Sequence, residues 1–502
     1  MLQKIFRHAR LGLDALLALA GDLRGRKCTC DSTATPKTGS MNWVIFVSFD
    51  DGVQWGFRSS RTGYEAIISD NSAKKMLLSE VATLKVLREQ TTVPVPEVYS
   101  FSASWDNDIG VPYILMSKAA GRSLREYHWI DCRTLGFTVD PLRLPLPDGA
   151  RENITRQLGA VMGRLSMLRF DKIGSVFEDG RGSYVVGECL SPALIWQHRD
   201  SLEDNAVERG PFTYDGQYLA SLISAFVGHA RELSLSPHVF FAPIPYEGDY
   251  STWSSYRAAA NRWNDYVAVV AKVESSKNVL DFCLAGQVLQ QMIPRISMPE
   301  KSYTLFHPDL NLGNVFVDDE FNITCLIDWG SASTGPLSEL LATPGLQTRP
   351  PEQQVSAFRQ GFAAAEYPPP AESWDKADMM WSFSRLVRLT SEYDFAHFKD
   401  LYRLICRADA EDDDVTELFC RMAAEEKNIT LLEELRENDL AASELQKLEA
   451  AAFGTRANST ESRAIARKLS VVAEMNKNFV TTSKLWRWIE AALETQPDTP
   501  QS

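Results

Sequence analysis

Hydrophobic residues between positions 43 and 117 form short runs around one longer segment of helical spacing. Residues 43–49 are rich in β-branched and aromatic side chains, which is typical of a buried strand. Asp50-Asp51-Gly52 then predicts a hairpin turn, because Asp-Gly tolerates the positive φ that such turns require. The same patterns predict the elements that follow: a returning strand at 53–58, an amphipathic helix at 72–90 and strands at 98–101 and 112–116.

Beyond residue 121 the spacing of apolar residues is mainly helical. It predicts helices at roughly 151–169, 216–233, 254–274 and 278–293, and short strands at 303–306, 314–317 and 323–327. Residues 334–351 contain four prolines and two glycines, so we expect an irregular segment there. From about residue 374 the chain is helical and rich in charge. The sequence thus predicts an α+β protein whose small β-rich part precedes a larger, mainly helical part.

The N-terminal residues allow more than one interpretation. Residues 11–20 are mostly apolar and follow a basic stretch, as in a secretory signal, but two aspartates interrupt the pattern and the run is too short to span a bilayer. We favour a helix packed on the following domain. The alternative is a mitochondrial presequence with Lys4, Arg7 and Arg10 on one helical face. Residues 27–40 are small and polar and predict a connector.

Composition and charge indicate a globular protein and disfavour two kinds of binding partner. The chain has 502 residues, of which 44% are hydrophobic, so it can bury a sizeable core in about two to four structural units. Its net charge of -14 disfavours nucleic acid and anionic membranes and mildly favours a cationic substrate. No later segment resembles a membrane span. Scattered cysteines indicate reduced thiols and a cytoplasmic location, with the mitochondrial location as the alternative.

The candidate chemistry lies at the ends of the three short strands beyond residue 300. His307-Pro308-Asp309 begins a polar loop that Asn314 closes, and Asp328 follows the third strand. Asp309 and Asn314 are five positions apart, so the loop turns back and both side chains can face one cavity. Phosphate transfer uses a carboxylate to accept a hydroxyl proton, and an amide and a second carboxylate to hold Mg²⁺. The sequence therefore predicts a centre that transfers phosphate from a nucleotide.

Over roughly residues 40–395 the chain resembles the aminoglycoside phosphotransferase / choline kinase-like family, and in particular a fungal group of uncharacterised phosphotransferases. The shared sequence segments are Phe-Asp-Asp-Gly-Val-x-Trp at 49–55, Ser-Glu-Val-Ala-Thr-Leu at 79–84, Val-Pro-x-Pro-Glu-Val-Tyr at 93–99 and Gly-Val-Pro-Tyr-Ile-Leu-Met at 110–116. The resemblance implies a two-lobed protein-kinase-like fold. Within it, the boundaries are an N-lobe (40–117) and a C-lobe with the catalytic loop (118–395). Outside it, the sequence pattern predicts an N-terminal helix and connector (1–39), a helical C-terminal extension (396–495) and a disordered tail (496–502).

The resemblance also implies roles for the loop residues. Asp309 would be the catalytic base, and His307 would shape the loop around it. Asn314 and Asp328 would be ligands of Mg²⁺. The phosphate donor would be ATP or GTP. Glu80, on the long helix, would pair with a cation on a neighbouring strand.

The nucleotide-binding residues depart from the kinase pattern in two places. Residues 39–42, with Ser40 and Asn42, would cover the phosphates, but they lack the glycines of a Gly-x-Gly-x-x-Gly loop. The strand cation is Arg58 where kinases place lysine, and this exchange is not conservative because guanidinium is larger and planar. Arg61 is an alternative beyond the expected end of the strand. Backbone groups from Met116 to Lys118 would meet the nucleotide base.

These residues predict a phosphotransferase that moves the terminal phosphate of a nucleotide to a hydroxyl of a small molecule. The alternative is a catalytically weak or inactive relative of the same fold that binds a nucleotide or a partner protein. A protein kinase is disfavoured because residues 331–351 contain no Ala-Pro-Glu. The sequence does not specify the acceptor, since acceptor specificity belongs to the variable helical part.

Overall fold

We describe the protein from a computed structural model. The described residues are 6, 8–61, 67–129, 143–233, 235, 276–346, 349–363, 369–389, 394–406, 415–437 and 439. The chain divides into two compact units. The first contains Met1–Ser221 and Ile296–Trp381, and the second contains Leu222–Arg295 and Ser382–Ser502. The candidate site lies in the first unit.

The N-terminal part of the first unit, called the N-lobe below, consists of a six-stranded antiparallel sheet and two helices. Its elements are α1 (Leu13–Arg24), β1 (Cys28–Cys30), β2 (Lys37–Thr38), β3 (Asn42–Phe49), β4 (Gln54–Ser60), α2 (Asp70–Gln90), β5 (Val98–Ser102) and β6 (Tyr113–Ser117). The strand order is β1-β3-β4-β6-β5, and β2 also pairs with β3. The predicted hairpin between β3 and β4 is confirmed, with Gly52 at a φ of 84°.

Each face of the sheet packs against one helix. Side chains along β3 alternate between buried and half-buried, as a strand with one fully covered face requires. Leu16 and Ala20 of α1 are completely buried against residues such as Trp43 of β3, so the predicted packing of an N-terminal helix on the domain is confirmed. On the other face, Leu77 of α2 packs in a cluster with Ile114 of β6.

The segment 27–40 is not a plain connector, and that prediction was wrong. Cys28 pairs with Phe49 and Lys37 pairs with Val44, so β1 and β2 extend the sheet beyond β3. These strands have three residues and two residues, respectively. Pieces this short contain too few side chains to show the alternation by which strands are recognised.

The C-terminal part begins after β6 and contains short strands between helices. Its strands are β7 (Arg122–Ser123), β8 (Arg169–Phe170), β9 (Val176–Glu178), β10 (Tyr184–Val186), β11 (Tyr303–Phe306), β12 (Val315–Val317), β13 (Ile323–Leu326) and β14 (Ser333–Gly335). Its helices are α3 (Ala150–Leu165), α4 (Pro192–Ile195), α5 (Asp215–Glu232), α6 (Ser276–Ile296), α7 (Leu337–Leu341), α8 (Glu352–Ala363), α9 (Ala371–Arg388), α10 (Asp394–Ile405), α11 (Val415–Ala423) and α12 (Glu426–Arg436).

Two three-stranded sheets hold the candidate loop. β11 lies between β14 and β8, and β12 lies between β13 and β7. Helices α3 and α8 pack closely against each other because each has a glycine at the contact. A Cβ atom added at Gly159 would lie 2.1 Å from the Phe358 carbonyl oxygen, and a Cβ atom added at Gly361 would lie 1.8 Å from the Arg156 carbonyl oxygen. Such close approach lets the two helices form a tightly packed base for the sheets.

The predicted α+β fold class is confirmed, with a β-rich N-terminal part and a mainly helical C-terminal part. The predicted helices at 216–233 and 278–293 and the strand at 303–306 are present. The helix predicted at 254–274 and the tail fall outside the described residues. The prediction of an irregular segment at 334–351 was partly wrong, because β14 ends and α7 lies within it. Pro336 occupies the N-cap position of α7, where a proline does not break the helix. Within the described ranges, none of the helices is long and apolar enough to cross a bilayer.

Glu300 gives the first unit a specific pH dependence. Burial raises the pKa of Glu300 to about 7; the hydrogen bond from Leu337 N–H and the charge of Arg169 oppose this shift, and Asp215 adds to it. The pKa of Glu300 in the folded protein lies above the value of 4.5 in the unfolded chain. The stabilising contribution of protonated Glu300 is therefore complete below pH 4.5 and is lost as the pH rises through about 7.

We therefore expect the melting temperature of the wild type to fall more steeply between about pH 5 and about pH 8 than that of Glu300→Gln, which cannot ionise. Scanning fluorimetry across this pH range measures the difference. Glu320→Gln, at an exposed turn, is the matched control and should follow the wild type. Equal slopes for wild type and Glu300→Gln would contradict the assignment.

Candidate active site

The loop between β11 and β12 holds Asp309 in a network of hydrogen bonds between residues close in sequence. Asn311 Nδ2 donates to the Asp309 carboxylate at 3.1 Å and to its carbonyl oxygen at 3.2 Å. Asn311 Oδ1 in turn accepts from Gly313 N–H at 2.8 Å, and Asn314 Nδ2 donates to the Asp309 carbonyl at 2.8 Å. The loop thus turns back on itself, and the orientation of the Asp309 carboxylate is fixed from within the loop.

His307 is engaged through both ring nitrogens. Its Nδ1 accepts the backbone N–H of Asp309 at 3.1 Å, which leaves the proton on Nε2 to donate to the Ile327 carbonyl at 2.9 Å. The ring is buried and lies edge-to-face on Trp329, with centroids 4.7 Å apart. A histidine held in this way joins the loop to the end of β13 and is geometrically suited to a structural role rather than to proton transfer.

Asn314 and Asp328 occupy the ends of adjacent strands. The Asn314 carbonyl accepts Ile327 N–H at 3.1 Å, which ties the loop to the residue before Asp328. Since the Asn314 NH₂ group points to Asp309, its Oδ1 is the atom left to meet a cation. Asp328 has a left-handed backbone with a φ of 70°, and its side chain is 41% exposed. One amide oxygen and one accessible carboxylate are therefore presented together.

Arg58 of β4 and Glu80 of α2 form a buried, two-pronged ion pair. Arg58 Nη1 donates to Glu80 Oε1 at 2.8 Å, and Nη2 donates to Oε2. Arg58 Nη1 also lies 3.5 Å from Asp328 Oδ1, and Glu80 Oε1 accepts Trp329 N–H at 3.3 Å. Burial lowers the pKa of Arg58, but the charge and hydrogen bond of Glu80, together with Asp328, outweigh it, so this pKa is raised. The cation of the site is thus held between two carboxylates.

Residues 188–200, called the strap below, hold α2 in place. At the start of the helix, Asp200 accepts Ser69 N–H at 2.7 Å, and further along Glu188 pairs with Lys75. The strap also reaches the segment after Asp328, where Trp196 Nε1 donates to Ser331 Oγ at 3.1 Å. Since α2 carries Glu80, the strap positions the helix that orients Arg58.

The predicted nucleotide-binding residues lie in two places. Asn42, Arg58, Glu80 and Asp328 line one cleft, and Ser40 is in the turn that precedes Asn42. Met116 is at the end of β6, where it pairs with Gly56.

The N–H group of Lys118 donates to the Gln54 carbonyl at 3.4 Å, and its Nζ donates to Gln54 Oε1 at 2.6 Å. Lys118 is therefore already bonded within the N-lobe, and contact of its N–H with a nucleotide base would require this bond to open. Contacts of the segment 116–118 with a base stay a prediction.

The donor set fits Mg²⁺ in its chemistry. Mg²⁺ prefers hard oxygen ligands and is commonly bound by one or two carboxylates together with phosphate oxygens and water. Asn314 Oδ1 and Asp328 supply two such oxygens. No cluster of three or more His, Cys, Asp or Glu side chains suited to a metal occurs among the described residues, so the remaining ligands would have to come from phosphate and water.

Sequence reasoning missed the role of Asn311 and the strap. Asn311 lies inside the motif, and an asparagine two residues before a glycine in a tight loop is a recognisable signal of a turn in which the side chain accepts the later backbone N–H. The strap had no signal of this kind, because Ser69 and Asp200 are 131 positions apart.

The β-rich N-lobe is followed by a mainly helical part that carries the Asp309 loop, which is the arrangement that the resemblance to phosphotransferases implies. Residues 238–375 match the model of the phosphotransferase enzyme family, a range that contains Asp309, Asn314 and Asp328. The resemblance to phosphotransferases that the sequence indicated is therefore confirmed.

Individual relatives are distant. A subtelomeric hrmA-associated cluster protein of Aspergillus fumigatus is 26% identical over 284 residues, which cover 51% of this chain and 50% of that protein. Altered inheritance of mitochondria protein 9, mitochondrial, of Yarrowia lipolytica is 37% identical over 94 residues, or 18% of this chain and 16% of that protein. The chain spans about half the length of the Aspergillus relative that it matches.

Solved structures with similar coordinates include a putative fructosamine-3-kinase from Thermobifida fusca, with a TM-score of 0.43, 14% identity and coverage of 79% of this chain and 99% of that one. The macrolide 2'-phosphotransferase MphH from Brachybacterium faecium has a TM-score of 0.40, 17% identity and coverage of 78% and 97%.

Proposed function

We propose that the protein transfers the terminal phosphate of ATP or GTP to a hydroxyl group of a small molecule. The observation that carries this proposal is the loop of Asp309: Asn311 orients the Asp309 carboxylate, and Asn314 at the end of the loop is bonded to the residue before Asp328. In this proposal Asp309 accepts the proton of the acceptor hydroxyl. Mg²⁺, when bound, would neutralise negative charge on the phosphates.

The other residues of the site orient these groups. His307 fixes the loop against Ile327, and Glu80 fixes the direction of the Arg58 guanidinium. Arg58 would contact phosphate oxygens with the part of its guanidinium not taken up by Glu80. The net charge of -14 favours a cationic acceptor, although the acceptor itself is not specified by any described residue.

A second function is favoured by one specific observation. Arg58 lies 3.5 Å from Asp328, so it neutralises the carboxylate that a metal ion would use. If that contact persists when nucleotide is present, the protein binds nucleotide or a partner protein without efficient turnover. The two candidates share the same binding site and differ in the rate of transfer.

A thermal-shift experiment tests the binding site common to both candidates. Millimolar Mg-ATP or Mg-GTP is expected to raise the melting temperature of the wild type by about 2–5 °C. Asp328→Ala should show no rise, because it removes a ligand of the metal that links protein and phosphates. Asp319→Ala, an exposed acid in the turn after β12, is the control and should behave as the wild type. No rise with either nucleotide would reject the transferase and the nucleotide-binding form of the second candidate.

We further propose a cytoplasmic location. The name of the Yarrowia lipolytica relative includes the word mitochondrial, which supports the mitochondrial alternative. Imaging of the full chain fused at its C-terminus to a fluorescent protein distinguishes the two.

A further inference from the structure

The turn that would cover the phosphates joins β2 to β3 and has no glycine-rich loop sequence. It consists of Gly39, Ser40, Met41 and Asn42, closed by a hydrogen bond of 2.9 Å from Gly39 N–H to the Asn42 carbonyl. In a glycine-rich loop the absence of side chains lets backbone N–H groups approach phosphate. This turn has only one glycine, so another feature has to set the direction of its peptide groups.

Arg61 is bonded to this turn at two points. Its backbone N–H donates to the Met41 carbonyl at 2.7 Å, and its Nη1 donates to the Gly39 carbonyl at 3.0 Å. Both bonds come from a residue directly after β4, so the turn is fastened to the neighbouring strand rather than projecting freely. Two of the four carbonyls of the turn are thereby fixed in direction.

The bond to Gly39 has a consequence for Ser40. In a planar trans peptide the C=O and the N–H point in opposite directions. Because the Gly39 carbonyl points to the Arg61 guanidinium, the Ser40 N–H points away from it. The guanidinium of Arg61 thereby fixes the direction of the peptide group between Gly39 and Ser40, in the turn whose Met41 and Asn42 line the cleft.

Arg61 also contributes charge to the cleft. It lines the same cleft as Arg58, Glu80 and Asp328. The guanidinium of Arg58 lies there between two carboxylates, at 2.8 Å from Glu80 and 3.5 Å from Asp328. The guanidinium of Arg61 offsets the remaining negative charge, so the cleft repels an anionic ligand less than it would without Arg61.

We propose that Arg61 is a positioning residue for the nucleotide phosphates: it anchors the turn of residues 39–42 and replaces, by two hydrogen bonds, the conformational role of a glycine-rich loop. This inference rests on the proposed nucleotide-dependent function. It assigns to Arg61 a role distinct from that of Arg58, which is bonded to Glu80. The role concerns the phosphates alone and not the base or the acceptor.

The test compares Arg61→Met with Arg61→Lys in the full chain. Affinities for Mg-ATP and for adenosine, which has no phosphates, are measured by thermal shift and by competition. We expect Arg61→Met to weaken Mg-ATP binding about tenfold and to leave adenosine binding unchanged. Arg61→Lys, which keeps the charge and can still donate to the Gly39 carbonyl, should recover part of the loss. Arg26→Met, on the exposed edge of the N-lobe, is the matched control and should bind as the wild type.

Two results would overturn the inference. One is wild-type affinity for Mg-ATP in Arg61→Met. The other is an equal loss of Mg-ATP and adenosine binding, which would mean that the substitution disturbs the N-lobe as a whole. Failure of the wild type to bind Mg-ATP would instead reject the proposed function, so the two failures are distinguishable.

Discussion

Asp309→Asn is expected to slow phosphate transfer by a factor on the order of 10²–10⁴, because it removes the group that accepts the hydroxyl proton. The amide keeps an oxygen for the hydrogen bond from Asn311 and leaves the backbone carbonyl that Asn314 contacts. Nucleotide binding should therefore persist. The measurement is formation of ADP from Mg-ATP or of GDP from Mg-GTP, first with water and then with amino-alcohols, sugars, amino-sugars and lipid head groups as acceptors.

Asp319→Asn is the control for this experiment, since Asp319 is an exposed acid ten residues along the chain and outside the loop. It should leave the rate unchanged. If Asp309→Asn and the wild type hydrolyse nucleotide equally, Asp309 is not the base. That result, combined with normal nucleotide binding, would favour the non-catalytic candidate function.

Arg58→Met is expected to lower the free energy of unfolding by about 3–5 kcal/mol, because it leaves the buried carboxylate of Glu80 without its partner. Glu80 has only 3% of its side chain exposed, so water cannot replace the lost guanidinium. The measurement is urea denaturation of the purified chain followed by tryptophan fluorescence. The same variant should also bind Mg-ATP more weakly.

The double variant Arg58→Met/Glu80→Gln shows whether the loss of stability in Arg58→Met comes from the unpaired charge of Glu80 or from lost packing of the Arg58 side chain. Glutamine still accepts Trp329 N–H but carries no charge, so most of the stability should return in the double variant. Arg24→Met breaks the more exposed pair with Asp51 and should cost much less. A loss in the double variant as large as that in Arg58→Met would show that packing, not charge, causes the destabilisation.

The elements that follow local rules could be predicted from the sequence. The β-branched and aromatic residues of β3 and the Asp-Gly turn after it are signals within a few residues, and both predictions were confirmed. The loop around Asp309 was recognisable for a similar reason, since its polar residues lie between two apolar strands. The pairing of Glu80 with Arg58 followed from the resemblance, and the structure places their side chains in contact.

The remaining features depend on contacts that the sequence does not encode locally. β1 and β2 are strands only because β3 offers an unpaired edge. The bonds from Arg61 to the turn at 39–42 join positions about twenty residues apart and depend on the register of β3 with β4. The strap is held by pairs of residues more than one hundred positions apart.

The left-handed backbone of Asp328 bears on how this protein responds to directed evolution. A φ of 70° is unfavourable for most L-residues and costs glycine nothing, so the fold carries a local strain of order 1 kcal/mol at the residue proposed to hold the metal. A library selected only for heat resistance would gain by replacing this aspartate with glycine or asparagine. Retaining phosphate chemistry in such a library would require nucleotide binding as a second criterion of selection.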